Sequence, residues 1–188
     1  MGTNSDMRAF LAVDVDKTLL NKIGDIQNNL GAAEAPVKFV EPQNLHLTLK
    51  FFGDINEEKL NEISNIISQK VENFNPFDLL IEGVGVFPSL RYIRVIWLGT
   101  KNIDSFSDIQ KELDDEFIKL GFDKERSYIP HLTIGRLKGS TNKEVLVEKI
   151  EELSDVQIGK MAVNKLILKK SELTPAGPIY TDLMVFEL

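Results

Sequence analysis

The sequence predicts an α+β fold of two duplicated lobes, each built of antiparallel sheet with outer helices and each carrying one copy of the same short motif. Three observations carry this expectation. The order strand, helix, strand, helix, strand is read twice along the 188 residues. The middle strand of each set holds the same tripeptide, His46-Leu47-Thr48 and His131-Leu132-Thr133, 85 residues apart. No Pro/Gly-rich linker, low-complexity stretch or charge block parts the halves, so 7–188 reads as one bilobal domain. Residues 1–6 are polar and are expected to be an extension or a cloning remnant.

The elements follow in order. AFLAVDV (9–15) is an unbroken apolar run with β-branched residues, as in a buried strand. Asp16 is placed to cap a helix through KTLLNKIGDIQNNLG, whose Leu19, Leu20, Ile23, Ile26 and Leu30 recur at helical spacing before Gly31. VKFVEP leads to a turn at Pro42, and LHLTLKFFG is a strand. After Asn56, the residues Leu60, Ile63, Ile66, Ile67 and Val71 mark an amphipathic helix. FDLLIEGVGVFPS and RYIRVIWLG follow as strands. In the second half Phe106, Ile109, Leu113, Phe117 and Leu120 stripe a helix, and YIPHLTIGRLK is a strand. The run T-N-K-E from Thr141 to Glu144 reads as a capping box that opens a helix through Leu153. MAVNKLILKKSEL and IYTDLMVFEL close the chain as strands.

Composition narrows the function classes. The net charge of −7 argues against a broad grip on long nucleic acid, but not against a small basic pocket for one nucleotide end. Cysteine is absent, which removes disulfides, thiolate metal sites and thiol nucleophiles. No apolar run approaches the ~18 residues of a membrane span, and no secretory leader is read in MGTNSDMRAFLAVDV. A cytoplasmic monomer without membrane contact is expected.

The two HLT stretches hold both histidines of the chain. Strict alternation puts His46, Thr48, Lys50 and Phe52 on one face of the first strand, with Leu47, Leu49 and Phe51 behind. On the second, His131 and Thr133 share a face, with Leu132, Ile134 and Arg136 behind. A lone strand histidine is usually structural. Two in identical contexts at matching positions of a doubled pattern point to chemistry. Neither motif carries a carboxylate or thiol at ligand spacing, so no metal is called for. Opposed imidazoles suit paired acid–base work, because one accepts a proton while the other donates one. Cleavage of a phosphodiester needs that pair, and threonine hydroxyls can hold the non-bridging oxygens. The residues alone leave open which histidine is acid and which base.

In its opening MRAFLAVDV, in NLHLTLKFFGDI, IRVIWLG and PHLTIGRLK, and in the ending LKKSELTPAGPIYTDLMVFEL, the chain resembles the 2H phosphoesterases. Within them it is similar to the bacterial and archaeal 2′-5′ RNA ligase/RNA 2′,3′-cyclic phosphodiesterase branch. The resemblance implies pseudo-twofold symmetry, a central cleft and no cofactor. It implies hydrolysis of a terminal RNA 2′,3′-cyclic phosphate to a 2′-phosphomonoester, with RNA ends as the partner and ATP-independent 2′-5′ joining as the reverse reaction. It assigns His46 as proton donor and His131 as proton acceptor, with Thr48 and Thr133 on the phosphate. In that branch an arginine often follows the second motif on the phosphate. Arg136 matches it, but needs a bulge to reach the cleft face.

Arg91 and Arg94 are further candidates for the cleft mouth, and Tyr128, Phe52 and Phe87 for stacking on a base. Two other readings compete. AVDVDKTLL (12–20) resembles the first motif of Mg-dependent haloacid-dehalogenase phosphatases, with Asp14 as nucleophile and Asp16 as acid/base; Lys17 stands where that motif has glycine. A non-catalytic RNA-end binding module has the same fold but no need of a matched acid and base.

Overall fold

The computed structural model describes residues 6–188, so the expectation for residues 1–6 lies outside the described residues except at Asp6. The strands β1 (Met7–Asp14), β2 (Val37–Phe39), β3 (His46–Ile55), β4 (Phe77–Ser89), β5 (Tyr92–Lys101), β6 (Leu132–Leu137), β7 (Gln157–Val163), β8 (Lys165–Thr174) and β9 (Gly177–Glu187) form one antiparallel sheet. Its order is β7-β4-β5-β6-β3-β1-β8-β9, with β2 added on β6. The helices are α1 (Leu20–Gly31), α2 (Glu57–Val71), α3 (Asp104–Lys119) and α4 (Lys143–Glu152). Asp16 caps as expected, accepting from Thr18 N at 2.8 Å and opening a 3₁₀ turn (Lys17–Leu19) ahead of α1, and Asn56 caps α2, accepting from Lys59 N at 2.8 Å. The expected capping box at Thr141–Glu144 does not form. Asn142 precedes α4 in the left-handed region with no side-chain cap bond.

The two HLT strands meet at the centre. β3 and β6 pair at a single position, Leu47 opposite Leu132, and both leucines are fully buried. On either side the sheet continues as β3-β1-β8-β9 and β6-β5-β4-β7. Helices α2 and α3 pack together in the first lobe, and α1 and α4 in the second. Each lobe therefore mixes the two halves of the sequence. The cause is local. β4 and β5 are joined by two residues into a hairpin, Ser89 opposite Tyr92, which carries β4 to β5 and away from β1. β8 takes the vacant place beside β1.

Both central strands carry a β-bulge at the same motif position. The β1–β3 register steps from Ala12↔Thr48 to Leu11↔Lys50, skipping Leu49. The β5–β6 register steps from Trp97↔Thr133 to Ile96↔Gly135, skipping Ile134. A bulge reverses which side later residues face. Each bulge carbonyl accepts from a glutamine: Gln110 Nε2 of α3 donates to Leu49 O at 2.7 Å, and Gln27 Nε2 of α1 to Ile134 O at 3.0 Å. The pseudo-twofold axis thus extends to side-chain hydrogen bonds.

The bulges correct the facing predicted by alternation. Lys50 turns into the protein, 4% exposed, and pairs with Asp114 at 2.7 Å and Glu125 at 3.2 Å. Phe52 turns inward as well, with its ring 4.9 Å from Phe117 and 5.1 Å from Phe122. Phe51, expected behind, stands 65% exposed on the cleft side. In β6 the equivalent of Lys50 is Gly135, where a Cβ would lie 2.9 Å from Val37, so β2 approaches there as no side chain would allow. Arg136 follows it onto the exposed cleft side, by way of the bulge that strict alternation lacked.

Asp114 organises the segment that leads to the second histidine. Its carboxylate accepts from Glu125 N and Tyr128 Oη, each at 2.9 Å, besides Lys50. Burial raises its pKa, but these donors outweigh that effect and hold it below the ordinary value. Tyr128, expected to stack on a base, is pushed up to about 12 by burial and by Asp114. Removing one partner of a buried pair leaves an uncompensated charge. Asp114→Ala is expected to lower the unfolding free energy by about 3–5 kcal/mol in urea denaturation. A decrease under about 1 kcal/mol would show that Glu125 alone satisfies Lys50.

Candidate active site

Continuing the Leu47↔Leu132 register by one residue each way sets His46 opposite Thr133 and Thr48 opposite His131. All four side chains then leave the face opposite the buried leucines. The strands pair only at this bridge, so one imidazole and one hydroxyl from each strand flank it on the same side. His46, Thr48, His131, Thr133 and Arg136 all line one open cleft of about 1690 Å³. That volume exceeds the ~300–1,000 Å³ typical of small-molecule pockets. The five sequence candidates are brought together.

Each ring is held in the same way. His46 Nδ1 lies 2.8 Å from Asn44 O. A carbonyl only accepts, so Nδ1 carries the proton and Nε2 is left for the cleft. Ile129, also two residues upstream, supplies the backbone partner of His131. Burial draws both pKa values below the ordinary 6.5, and the two backbone bonds oppose it. At His46 alone a carboxylate contributes: Asp14, its cross-strand neighbour, favours the imidazolium and outweighs the opposing charge of Lys169.

Aromatic rings frame the pair. Phe10 and Tyr180 lie 4.9 and 5.3 Å from the His46 ring, and Phe87 and Trp97 lie 5.0 and 6.5 Å from His131. Burial raises the Tyr180 pKa against the charge of Arg136. Phe87 takes a place suited to a base; Phe52 and Tyr128 do not. Of the two arginines considered for the cleft mouth, Arg91 lines no part of the cleft and Arg94 lines an adjoining groove. Sequence reading missed Phe51, Trp97 and Tyr180. Phe51 was hidden by the bulge, and the other two lie on strands whose approach to the motifs only the sheet order reveals.

Asp14 and Asp16 are committed to other partners than the competing phosphatase reading requires. Asp14 is bound to Lys169 Nζ at 3.0 Å, and Asp16 spends its carboxylate on Thr18 N and Oγ1. Among the described residues no group of three His, Cys, Asp or Glu is placed to hold a metal ion. Nor is any described helix long and apolar enough to cross a membrane.

Comparison with known proteins gives the same picture. The family model described as LigT like Phosphoesterase matches twice, over residues 13–97 and 98–180. The chain is 56% identical over 182 residues to an RNA 2′,3′-cyclic phosphodiesterase of Methanothermobacter thermautotrophicus, covering 97% of this chain and 99% of that protein. It is 42% identical over 174 residues to a protein of the same name from Methanocaldococcus jannaschii, covering 93% and 96%. A crystal structure from Thermus thermophilus superposes with a TM-score of 0.83 at 26% identity, over 97% of this chain and 98% of that one. E. coli LigT complexed with 3′-AMP shares the fold, with a TM-score of 0.74 at 22% identity over 98% of both. With one HLT motif in each of the two matched segments, the chain belongs to the LigT-like phosphoesterases of the 2H superfamily.

Proposed function

We propose that the chain is an RNA 2′,3′-cyclic phosphodiesterase, hydrolysing a terminal 2′,3′-cyclic phosphate to a 2′-phosphomonoester without a metal. The observation that carries the reading is the pair of imidazoles whose free nitrogens share one cleft, each held by the carbonyl two residues upstream. Relatives of that name over nearly the full length support the substrate class.

His131 removes a proton from water as its oxygen attacks phosphorus. The P–O3′ bond breaks, and His46 gives its proton to O3′ while phosphate stays on O2′. Proton exchange with solvent then resets both rings. Thr48 and Thr133 donate to the non-bridging oxygens, and Arg136 balances the charge that develops there. Asp14 favours the protonated form of His46 against the burial that lowers its pKa, which is consistent with a donor role there. With an RNA 5′-hydroxyl attacking in place of water, the same path breaks P–O3′ and joins the ends through a 2′-5′ bond. A cytoplasmic monomer acting on RNA ends formed inside the cell belongs to the same proposal.

Two measurements test it. On chelator-treated protein with an RNA ending in 2′,3′-cyclic phosphate, His46→Ala and His131→Ala should each cut turnover by about 10²–10⁴-fold, with the 2′-phosphate as sole wild-type product. A 3′-phosphate product, or a variant that keeps most of its rate, sinks the mechanism. The second concerns pH. Because both rings lie below about 6.5, the kcat/KM bell should be centred on the acid side of neutrality. Asp14→Asn removes the charge favouring protonated His46 and lowers its pKa further. If His46 is the acid, kcat/KM falls on the alkaline side and the acid side is unchanged. A gain on the acid side with the alkaline side unchanged would reverse the two roles.

A further inference from the structure

Beside the cleft lies a second groove of about 590 Å³, lined by Tyr92, Arg94, Arg136, Lys138 and Lys143 among others, with no acidic side chain in its lining. In a chain of net charge −7, four cations around so small a space mark a local anion site. None of the four makes an ion pair among the described residues. The groove adjoins the catalytic cleft, with Arg136 and Lys138 lining both. The bulge at Ile134 sets this up: Arg136 follows it on the cleft side, and Lys138 lies two residues further on the same course.

The groove also offers a stacking surface. Arg94 lies over the Tyr92 ring, its Cζ 4.9 Å from the centroid, with Nη2 donating to Tyr92 Oη at 3.0 Å. Tyr92 is 58% exposed. The guanidinium and phenol thus hold each other as one preordered surface. Lys143 is anchored through Nζ on the Arg91 carbonyl at the far wall. A platform for a base ringed by cations for phosphates is the composition of a single-strand subsite.

We propose that this groove binds the nucleotides on the 5′ side of the cyclic end, and so makes the protein prefer polymeric RNA over nucleoside 2′,3′-cyclic phosphates. The inference rests on the cleft being a cyclic phosphodiesterase site. A strand that ends in a cyclic phosphate has chain on its 5′ side only. Arg136 bridges the reacting phosphate and the next one, Lys138 and Lys143 meet the phosphodiesters beyond it, and Tyr92–Arg94 stacks a base.

The test compares a nucleoside 2′,3′-cyclic phosphate with a short RNA carrying the same end, in wild type and in the double variant Tyr92→Ala/Arg94→Ala. The wild type should favour the RNA in kcat/KM. The variant should fall about tenfold on the RNA and be unchanged on the nucleotide. In a second variant, Lys138→Ala/Lys143→Ala, the log–log salt dependence on RNA should become shallower by about 0.7 for each phosphate that is no longer neutralised. Equal decreases on both substrates, or no decrease on the RNA, would overturn the groove while leaving the catalytic reading intact. Failure of the wild type to turn over either substrate would instead remove the catalytic reading, and the groove's role with it.

Discussion

The architecture depends on one contact between strands. β3 and β6 touch at the Leu47–Leu132 bridge and at no second paired position. A longer ladder would have flattened the centre of the sheet and closed the space above it. A single bridge welds the lobes through two buried leucines and lets the strands diverge at once. The flanking residues, His46, Thr48, His131 and Thr133, are then set on the open side by pleat alternation rather than by any loop. Residues on strands are held more firmly than residues on loops, which suits a reaction needing an acid and a base on opposite sides of one atom.

The bulges beyond that bridge divide the duty of the two halves. Each one brings the second residue after it onto the open side, and the twofold gives equivalent geometry to different side chains. In β6 the result is Arg136, a charge; in β3 it is Phe51, an apolar plate. The residues that turn inward differ likewise. Gly135 makes room for β2, whereas Lys50 reaches Asp114 and ties the loop before His131 to the first lobe. Gln110 donates to the Leu49 carbonyl, and Gln27 joins Val40 N on the Ile134 carbonyl, so both bulge carbonyls are satisfied, the condition for burying an irregular backbone. A symmetric scaffold is thereby made chemically asymmetric, with the only carboxylate influence on the imidazoles placed at His46.

The repeated HLT, the helical stripes and the doubled order were legible in the sequence because each is a local period. The two imidazoles and two hydroxyls were legible for the same reason, since alternation holds from His46 to Thr48 and from His131 to Thr133. It fails one residue later. A bulge is stabilised by a glutamine more than 60 positions away in the case of Leu49, and no local pattern announces it. Hence Lys50 and Phe52 were expected on the open face and lie inside, while Phe51 was expected inside and lies open. The capping box at Thr141–Glu144 failed differently: Asn142 in the left-handed region leaves its side chain unable to serve the helix start. The exchange of elements between lobes follows from the β4–β5 hairpin and was equally beyond any local pattern.

The central claim is that one phosphorus sits between two imidazoles supplied by the two lobes. A crystal structure with a nucleoside vanadate, whose trigonal-bipyramidal vanadium mimics phosphorus in transit, addresses it directly. The account predicts His46 Nε2 and His131 Nε2 within about 2.6–3.2 Å of oxygens on opposite apices of one vanadium. Vanadate bound with one imidazole out of reach, or with both on the same side of the metal, would contradict it.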